Sequence, residues 1–252
     1  MIVTRLLVVS DIHGHYDQFL WLMDLVKYNP RKDRLICLGD LIDRGPKSKE
    51  VVEWFMPGHP GENAIVIRGN HEETLLGYIA GYVSYSTYTN NRMGGGKTLD
   101  SYQECRESEI EAHVKFLNEL PYYHRESHFI FTHAGLDLDK SLEAQDVDDF
   151  LYDDKKIYTK GTSRLYKKDI VIFGHVPTDF IRSDLNQPSL PSYIWYDTVY
   201  KNKIGIDCGN YSRKRLACLD LTNCVEYYQG MRKKDQEVTT TKETLAKQLL
   251  KV

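Results

Sequence analysis

Short apolar runs alternate with amphipathic stretches through the first seventy residues. "LLVVS" (6–10), "RLICLG" (34–39) and "NAIVIRG" (63–69) are apolar runs that each stop at polar punctuation. Between the first two, "YDQFLWLMDLVKY" (16–28) places Phe19, Leu20, Met23 and Val26 at helical spacing. "SKEVVEWFM" (48–56) reads as a second helix, and a third begins near Glu72. This β-α-β-α-β order predicts parallel strands joined by crossover helices. Strands that are apolar throughout suit a sheet covered on both faces.

The pattern then changes. Residues 81–100 are polar and glycine-rich, and a helix is expected over 98–120, stopping before Pro121. Beyond it strands dominate: "HFIFTH" (128–133), "DIVIFGH" (169–175), "KIGID" (203–207), "LACLDL" (216–221) and "VEYYQ" (225–229). Their succession predicts antiparallel pairing and a mixed α/β chain of two packed sheets. No repeat or linker divides it, so one domain over 1–252 is expected. Residues 230–252 read as a charged tail with a short helix in "KETLAKQLLKV".

Composition narrows the function classes. The net charge of −3 over 252 residues gives no general nucleic-acid or anionic-membrane surface. No apolar run approaches the roughly 20 residues of a membrane span. The first residues lack the layout of a signal peptide. Five cysteines without C-x-x-C spacing fit neither a disulfide framework nor a zinc knuckle. The expectation is a cytoplasmic monomer with no membrane or nucleic-acid partner.

The chemistry collects at strand ends: "SDIHGH" (10–15), "GDLIDRG" (39–45), "RGNHEE" (68–73), "THAG" (132–135) and "GHVP" (174–177). Ligands of open α/β sheets sit outside the carboxyl ends of the strands. Each fragment alone has a bland reading, as a turn, a helix cap at Asn70 or a buried histidine. Together they deliver Asp, His, Asp, Asn, His and His to one rim. Imidazole with carboxylate, and no thiolate, suits two manganese, iron, zinc or cobalt ions sharing a carboxylate bridge.

These motifs, in this order, resemble the metallophosphoesterases and in particular the phosphoprotein phosphatase branch. That branch includes serine/threonine phosphatases and symmetrical diadenosine tetraphosphate hydrolases. The resemblance implies a metallophosphoesterase-type sandwich of two mixed β-sheets flanked by helices. It implies Asp11 and His13 on one metal, Asp40 bridging, and Asn70, His133 and His175 on the other. It further implies a dimetal-bridging hydroxide as nucleophile, His71 as general acid, Asp43 orienting it, and Arg44 gripping phosphate. Arg68 is expected to be structural. Bacterial relatives carry an L-W-x-R-like segment before the last histidine. Residues 149–169 here lack it, so the second phosphate grip falls to Arg164, to Lys155, Lys156 or Lys160, or to no residue of this stretch, which then reads as a solvated charged loop. The substrate expected first is phosphoserine or phosphothreonine in proteins, with a dinucleoside tetraphosphate as the alternative and a non-catalytic phosphate-binding protein as a third class.

"NRMGGGKT" (91–98) looks like a P-loop, but five residues before Gly96 stands Asn91, and no apolar strand precedes it. It instead resembles a glycine-Thr-Leu-x-Ser-Tyr segment of bacterial relatives, and is expected to border the cleft.

Overall fold

The structure, a computed structural model, describes residues 4–152, 154–161, 164–188, 192–210 and 214–241. The chain opens with β1 (Arg5–Val9), α1 (Tyr16–Val26), β2 (Asp33–Cys37), α2 (Ser48–Phe55), β3 (Ile65–Val66) and α3 (Asn70–Ile79). Three further helices follow: α4 (Tyr85–Tyr88), α5 (Gly96–Ser101) and α6 (Glu107–Asn118). Then come β4 (Tyr123–Glu126), β5 (Phe129–Thr132), α7 (Val147–Leu151), α8 (Asp154–Thr159), β6 (Ile170–Phe173) and α9 (Thr178–Asp184). The last strands are β7 (Trp195–Tyr196), β8 (Lys203–Gly205), β9 (Arg215–Asp220), β10 (Val225–Gly230) and β11 (Gln236–Thr240).

Two mixed sheets result. The first has the order β11-β10-β9-β1-β2-β3, with β1, β2 and β3 parallel and β9 antiparallel to β1. The second has the order β4-β5-β6-β8-β7, with β5, β6 and β8 parallel. Strand alternation sorts the apolar side chains into layers. Leu7, Val9, Leu35 and Cys37 pack with Phe19 and Leu22 of α1 and Val51 and Phe55 of α2. Val8 and Ile36 point the other way and meet Phe129, Phe131, Ile172 and Ile204 of the second sheet. Ile130, Val171 and Phe173 cover its far side with Phe150, Ile157 and Ile181 of α7–α9. The order is helix, sheet, sheet, helix. Each fully buried side chain of this size contributes about 1.5–3 kcal/mol. Both sheets are thereby locked with the carboxyl ends of their parallel strands at one rim.

Several expectations change. The helix expected over 98–120 is two helices, α5 and α6. Residues 102–106 carry no apolar face, while Glu107 and Glu109 favour a fresh helix N-terminus. β5, β6 and β8 pair in parallel, because helices α7–α9 supply crossovers that their weak apolar pattern hid. β3 is only two residues long, since Arg68 N donates to Pro121 O at 2.8 Å outside the ladder. The expected tail contains β11, an antiparallel edge strand on β10. The helix expected in 242–252 lies outside the described residues.

Candidate active site

The loops after β1, β2, β3, β5 and β6 bring the strand-end residues together. Asp11, His13, Asp40, Asp43, Arg44 and His175 all have positive φ, between 50° and 70°. They are half of the twelve non-glycine residues so placed among those described. Such backbone is costly and persists where its surroundings over-determine it. Here the surroundings are close. Gly39 and Gly69 lie against each other beneath Asp40, and a Cβ on Gly69 would run into Asp40 Oδ1.

Among the described residues two clusters of donor atoms form, each with all its atoms within 4.8 Å of one another: His13, Asp40 and His71, and Asp40, His133 and His175. Asp40 belongs to both, as a bridging carboxylate must. His13 Nδ1 donates to Ile42 O at 3.0 Å and His133 Nδ1 to Leu38 O at 2.7 Å. A carbonyl only accepts, so each Nε2 is unprotonated and offers its lone pair as an acceptor. Burial holds both imidazoles well below their ordinary pKa, so neither is cationic. His133 Nε2 then faces Asn70 Oδ1 at 2.9 Å, His175 Nδ1 at 3.2 Å and Asp40 Oδ1 at 3.4 Å. Asn70 Oδ1 also lies 3.0 Å from His175 Nδ1. Converging lone pairs of this kind suit divalent cations, and the N/O donor set matches the metals named above.

Asp11 stands beside these clusters. Its buried carboxylate accepts from Ser10 Oγ and from the His175 amide at 3.1 and 3.2 Å. Burial and then the neighbouring Asp207 hold its pKa well above the ordinary range. Asp207 is itself buried and pushed up to about 6. Burial and Asp11 act likewise on Asp40. Fixed positive charge would offset this accumulation of buried carboxylate.

His71 Nδ1 lies 2.7 Å from Asp43 Oδ2, and its Nε2 lies 3.8 Å from Asp40 Oδ2. Burial works against the charged form of both partners: His71 is held well below its ordinary pKa and Asp43 is pushed up to about 7. Asp43 does not pair with its neighbour Arg44 in place of His71. Its other oxygen, Oδ1, accepts from Thr98 Oγ1 at 2.6 Å and Tyr88 Oη at 2.7 Å. These hydroxyls favour the carboxylate, and so the imidazolium that an acid role needs. Thr98 Oγ1 in turn accepts from Asp43 N at 2.9 Å, and Ser48 Oγ lies 2.9 Å from it. Thr98→Val keeps the shape and removes the donor. It should lower kcat on a poor leaving group about tenfold and cost about 1–3 kcal/mol in stability. Steady-state kinetics beside urea unfolding checks both, and unchanged kcat would refute the linkage.

Glu72, which motif reading passed over, accepts from the amides of Asp40, Leu41 and Gly69 at 2.8 Å and from Ile42 at 3.4 Å. The helix cap at this corner is Gly69, and Asn70 is the first helical residue. Arg44 Nη1 donates to His13 Nε2 at 2.6 Å, so its guanidinium lies over the cluster. Arg68 is structural as expected, bonded to Glu73, Tyr122 and the Asn118 carbonyl. Arg164 corrects an expectation: it sits exposed in a 3-10 turn, Arg164–Tyr166, and does not line the cleft. Lys155 does, with Arg44, Asn70, His71, Asn90 and Arg92. The glycine stretch borders the cleft, since Arg44 N donates to Gly94 O at 3.2 Å.

The family of calcineurin-like phosphoesterases matches residues 4–206. A symmetrical bis(5'-nucleosyl)-tetraphosphatase from Nitrosomonas europaea is 29% identical over 152 residues, 58% of this chain and 52% of that protein. The chain spans about half the length of the curated relatives it matches. Among solved structures, a candidate diadenosine tetraphosphatase superposes with a TM-score of 0.61 at 20% identity, covering 90% of this chain and 93% of that one. A serine/threonine phosphatase from Saccharomyces cerevisiae superposes at 0.59 with 16% identity, covering 87% and 73%. The family match over most of the chain agrees with the two-sheet sandwich and its rim of donors: the protein belongs to the calcineurin-like phosphoesterases.

Proposed function

We propose that the protein hydrolyses the phosphoanhydride chain of dinucleoside tetraphosphates symmetrically, using two divalent cations. The observation that carries the hydrolytic reading is the 2.7 Å His71–Asp43 contact beside two donor clusters that share Asp40. The names of the curated relatives favour this substrate over the phosphoserine or phosphothreonine that the motifs suggested first.

Asp11, His13, Asp40, Asn70, His133 and His175 would hold the cations, with manganese the first choice. When bound, such ions supply Lewis acidity toward phosphoryl oxygen and neutralise its charge. The chain's own groups do the rest. Arg44 presents a guanidinium fork to the equatorial oxygens. His71 gives its Nε2 proton to the departing oxygen, while Asp43 holds Nδ1 and fixes the ring. Water adds to phosphorus, the bridging P–O bond breaks, and one diadenosine tetraphosphate gives two ADP. Among the described residues no helix is long and apolar enough to cross a membrane. We further propose a single-domain monomer acting in the cytoplasm.

The test is turnover by metal-stripped protein reloaded with manganese, zinc, iron, cobalt or magnesium. Diadenosine tetraphosphate, phosphopeptides and p-nitrophenyl phosphate are compared in parallel. Manganese is expected to restore activity, with ADP as the product and kcat/KM at least about tenfold above any phosphopeptide. A phosphopeptide preferred by that margin would return the reading to a protein phosphatase.

A further inference from the structure

Among the described residues, three arginine or lysine side chains line the cleft: Arg44, Arg92 and Lys155. Their commitments differ. Arg44 is half-buried and donates to His13 Nε2. Lys155 Nζ lies 3.3 Å from Asp184 Oδ2, which also accepts from Tyr158 Oη at 2.9 Å. Arg92 is exposed, and its guanidinium makes no ion pair among the described residues.

Its backbone, by contrast, is fixed. The amides of Arg92 and Met93 both donate to Asn90 Oδ1 at 2.9 Å, and Gly94 N donates to Asn90 O at 2.8 Å. Gly94 O then receives the amide of Arg44. Gly94 has φ of 79°, and a Cβ there would lie 2.9 Å from Arg44 N and Cγ. The glycine is needed for this close latch. The loop therefore carries Arg92 to the cleft wall two residues from a direct bond to Arg44's own backbone. One guanidinium is half-buried against His13, and a second is exposed in the lining of the same cleft.

We infer that Arg92 is a second phosphate-binding residue, holding a distal phosphate of a substrate whose reacting phosphate lies against Arg44. This rests on the proposed function and sharpens it. A lone phosphate monoester needs only the inner site, whereas a polyphosphate chain running outward meets both guanidiniums. A planar fork suits bidentate contact with phosphate oxygens. The residue also fills the role that Arg164 was expected to take.

The test is titration calorimetry of the manganese-loaded full chain with inorganic tripolyphosphate and with orthophosphate. A fixed excess of metal makes chelation heat common to wild type and variants. Arg92→Ala is expected to weaken tripolyphosphate about tenfold more than orthophosphate, the loss of one charge-assisted grip. Arg92→Lys should recover part of that loss. Equal weakening of both ligands, no weakening, or no tripolyphosphate binding by the wild type overturns the inference. In parallel, Arg92→Ala should raise KM for diadenosine tetraphosphate about tenfold with little change in kcat. The two readings fail separately. A wild type that binds tripolyphosphate through Arg92 but leaves diadenosine tetraphosphate intact refutes the proposed function alone. Turnover that is indifferent to Arg92 refutes this inference alone.

Discussion

Replacing His71 with Asn should lower kcat on substrates with poor leaving groups by about 10²- to 10⁴-fold, the usual contribution of a positioned acid. Asparagine is the informative change. Its amide can still donate to Asp43 Oδ2, so the buried carboxylate keeps a partner, but it has no proton to give. Alanine would leave Asp43 without that contact and confuse catalysis with folding. The leaving group supplies the control. p-Nitrophenolate departs without protonation, so its ester should suffer far less than an alkyl phosphate. A second control is metal content. His71 Nε2 lies within ligand distance of His13 and Asp40, so the geometry alone also admits a metal-binding role. An acid leaves metal stoichiometry unchanged in His71→Asn, while a ligand would lower it and depress both substrates alike. Equal losses on both esters, accompanied by lost metal, would sink the acid assignment.

Much of this site was legible because of how strands end. Asp11, Asp40, His133 and His175 each follow an apolar run within a few residues, and parallel strands deliver their carboxyl ends to one rim. What escaped has no such marker. Glu72 looks like any acidic residue in the first turn of a helix, and only the fold shows four amides converging on it. Tyr88 and Thr98 reach Asp43 across 45 and 55 residues. They come from a polar stretch without periodicity, so nothing local announces them. Arg164 was singled out by charge alone, and it sits exposed in a 3-10 turn outside the cleft lining. The same holds for the fold. β11 is a mostly exposed edge strand whose partner, β10, determines it, so its residues carry no apolar alternation. The parallel order of β5, β6 and β8 depended on short helices whose apolar faces are too brief to read. The glycine stretch is the clearest case of a signal misdirected by similarity. The stretch joins helix α4 to helix α5, with no strand before it as a P-loop would need. One of its glycines allows a tight latch to Arg44, and the threonine that mimicked a P-loop holds Asp43.

Glu72→Ala should cost about 4 kcal/mol, a large share of the roughly 5–15 kcal/mol that stabilises a typical domain. The argument is an accounting of amides. Four backbone N–H groups from Gly69 and the loop after β2 end on one carboxylate. Each buried donor left unpaired costs about 1–3 kcal/mol, and partial relaxation recovers some of the sum. The loss also has a functional consequence. Asp40 has φ of 53°, and its amide is one of the four held by Glu72. Released, the loop has no reason to keep Asp40 between the two donor clusters. Manganese affinity should therefore fall by about 10- to 100-fold, as it does when an outer-shell support of a ligand is removed. Glu72→Gln separates shape from charge. Its single carbonyl oxygen can serve the amides on one side only, and its NH2 group opposes the rest. The expected order of stability is wild type, then Gln, then Ala, and metal affinity should follow the same order. Urea unfolding of the apo forms and manganese titration of the folded ones measure the two effects independently. An unfolding midpoint in Glu72→Ala equal to wild type would show that the loop after β2 stands without Glu72. Lowered stability with unchanged metal affinity would instead show that Asp40 is placed by the Gly39–Gly69 contact beneath it.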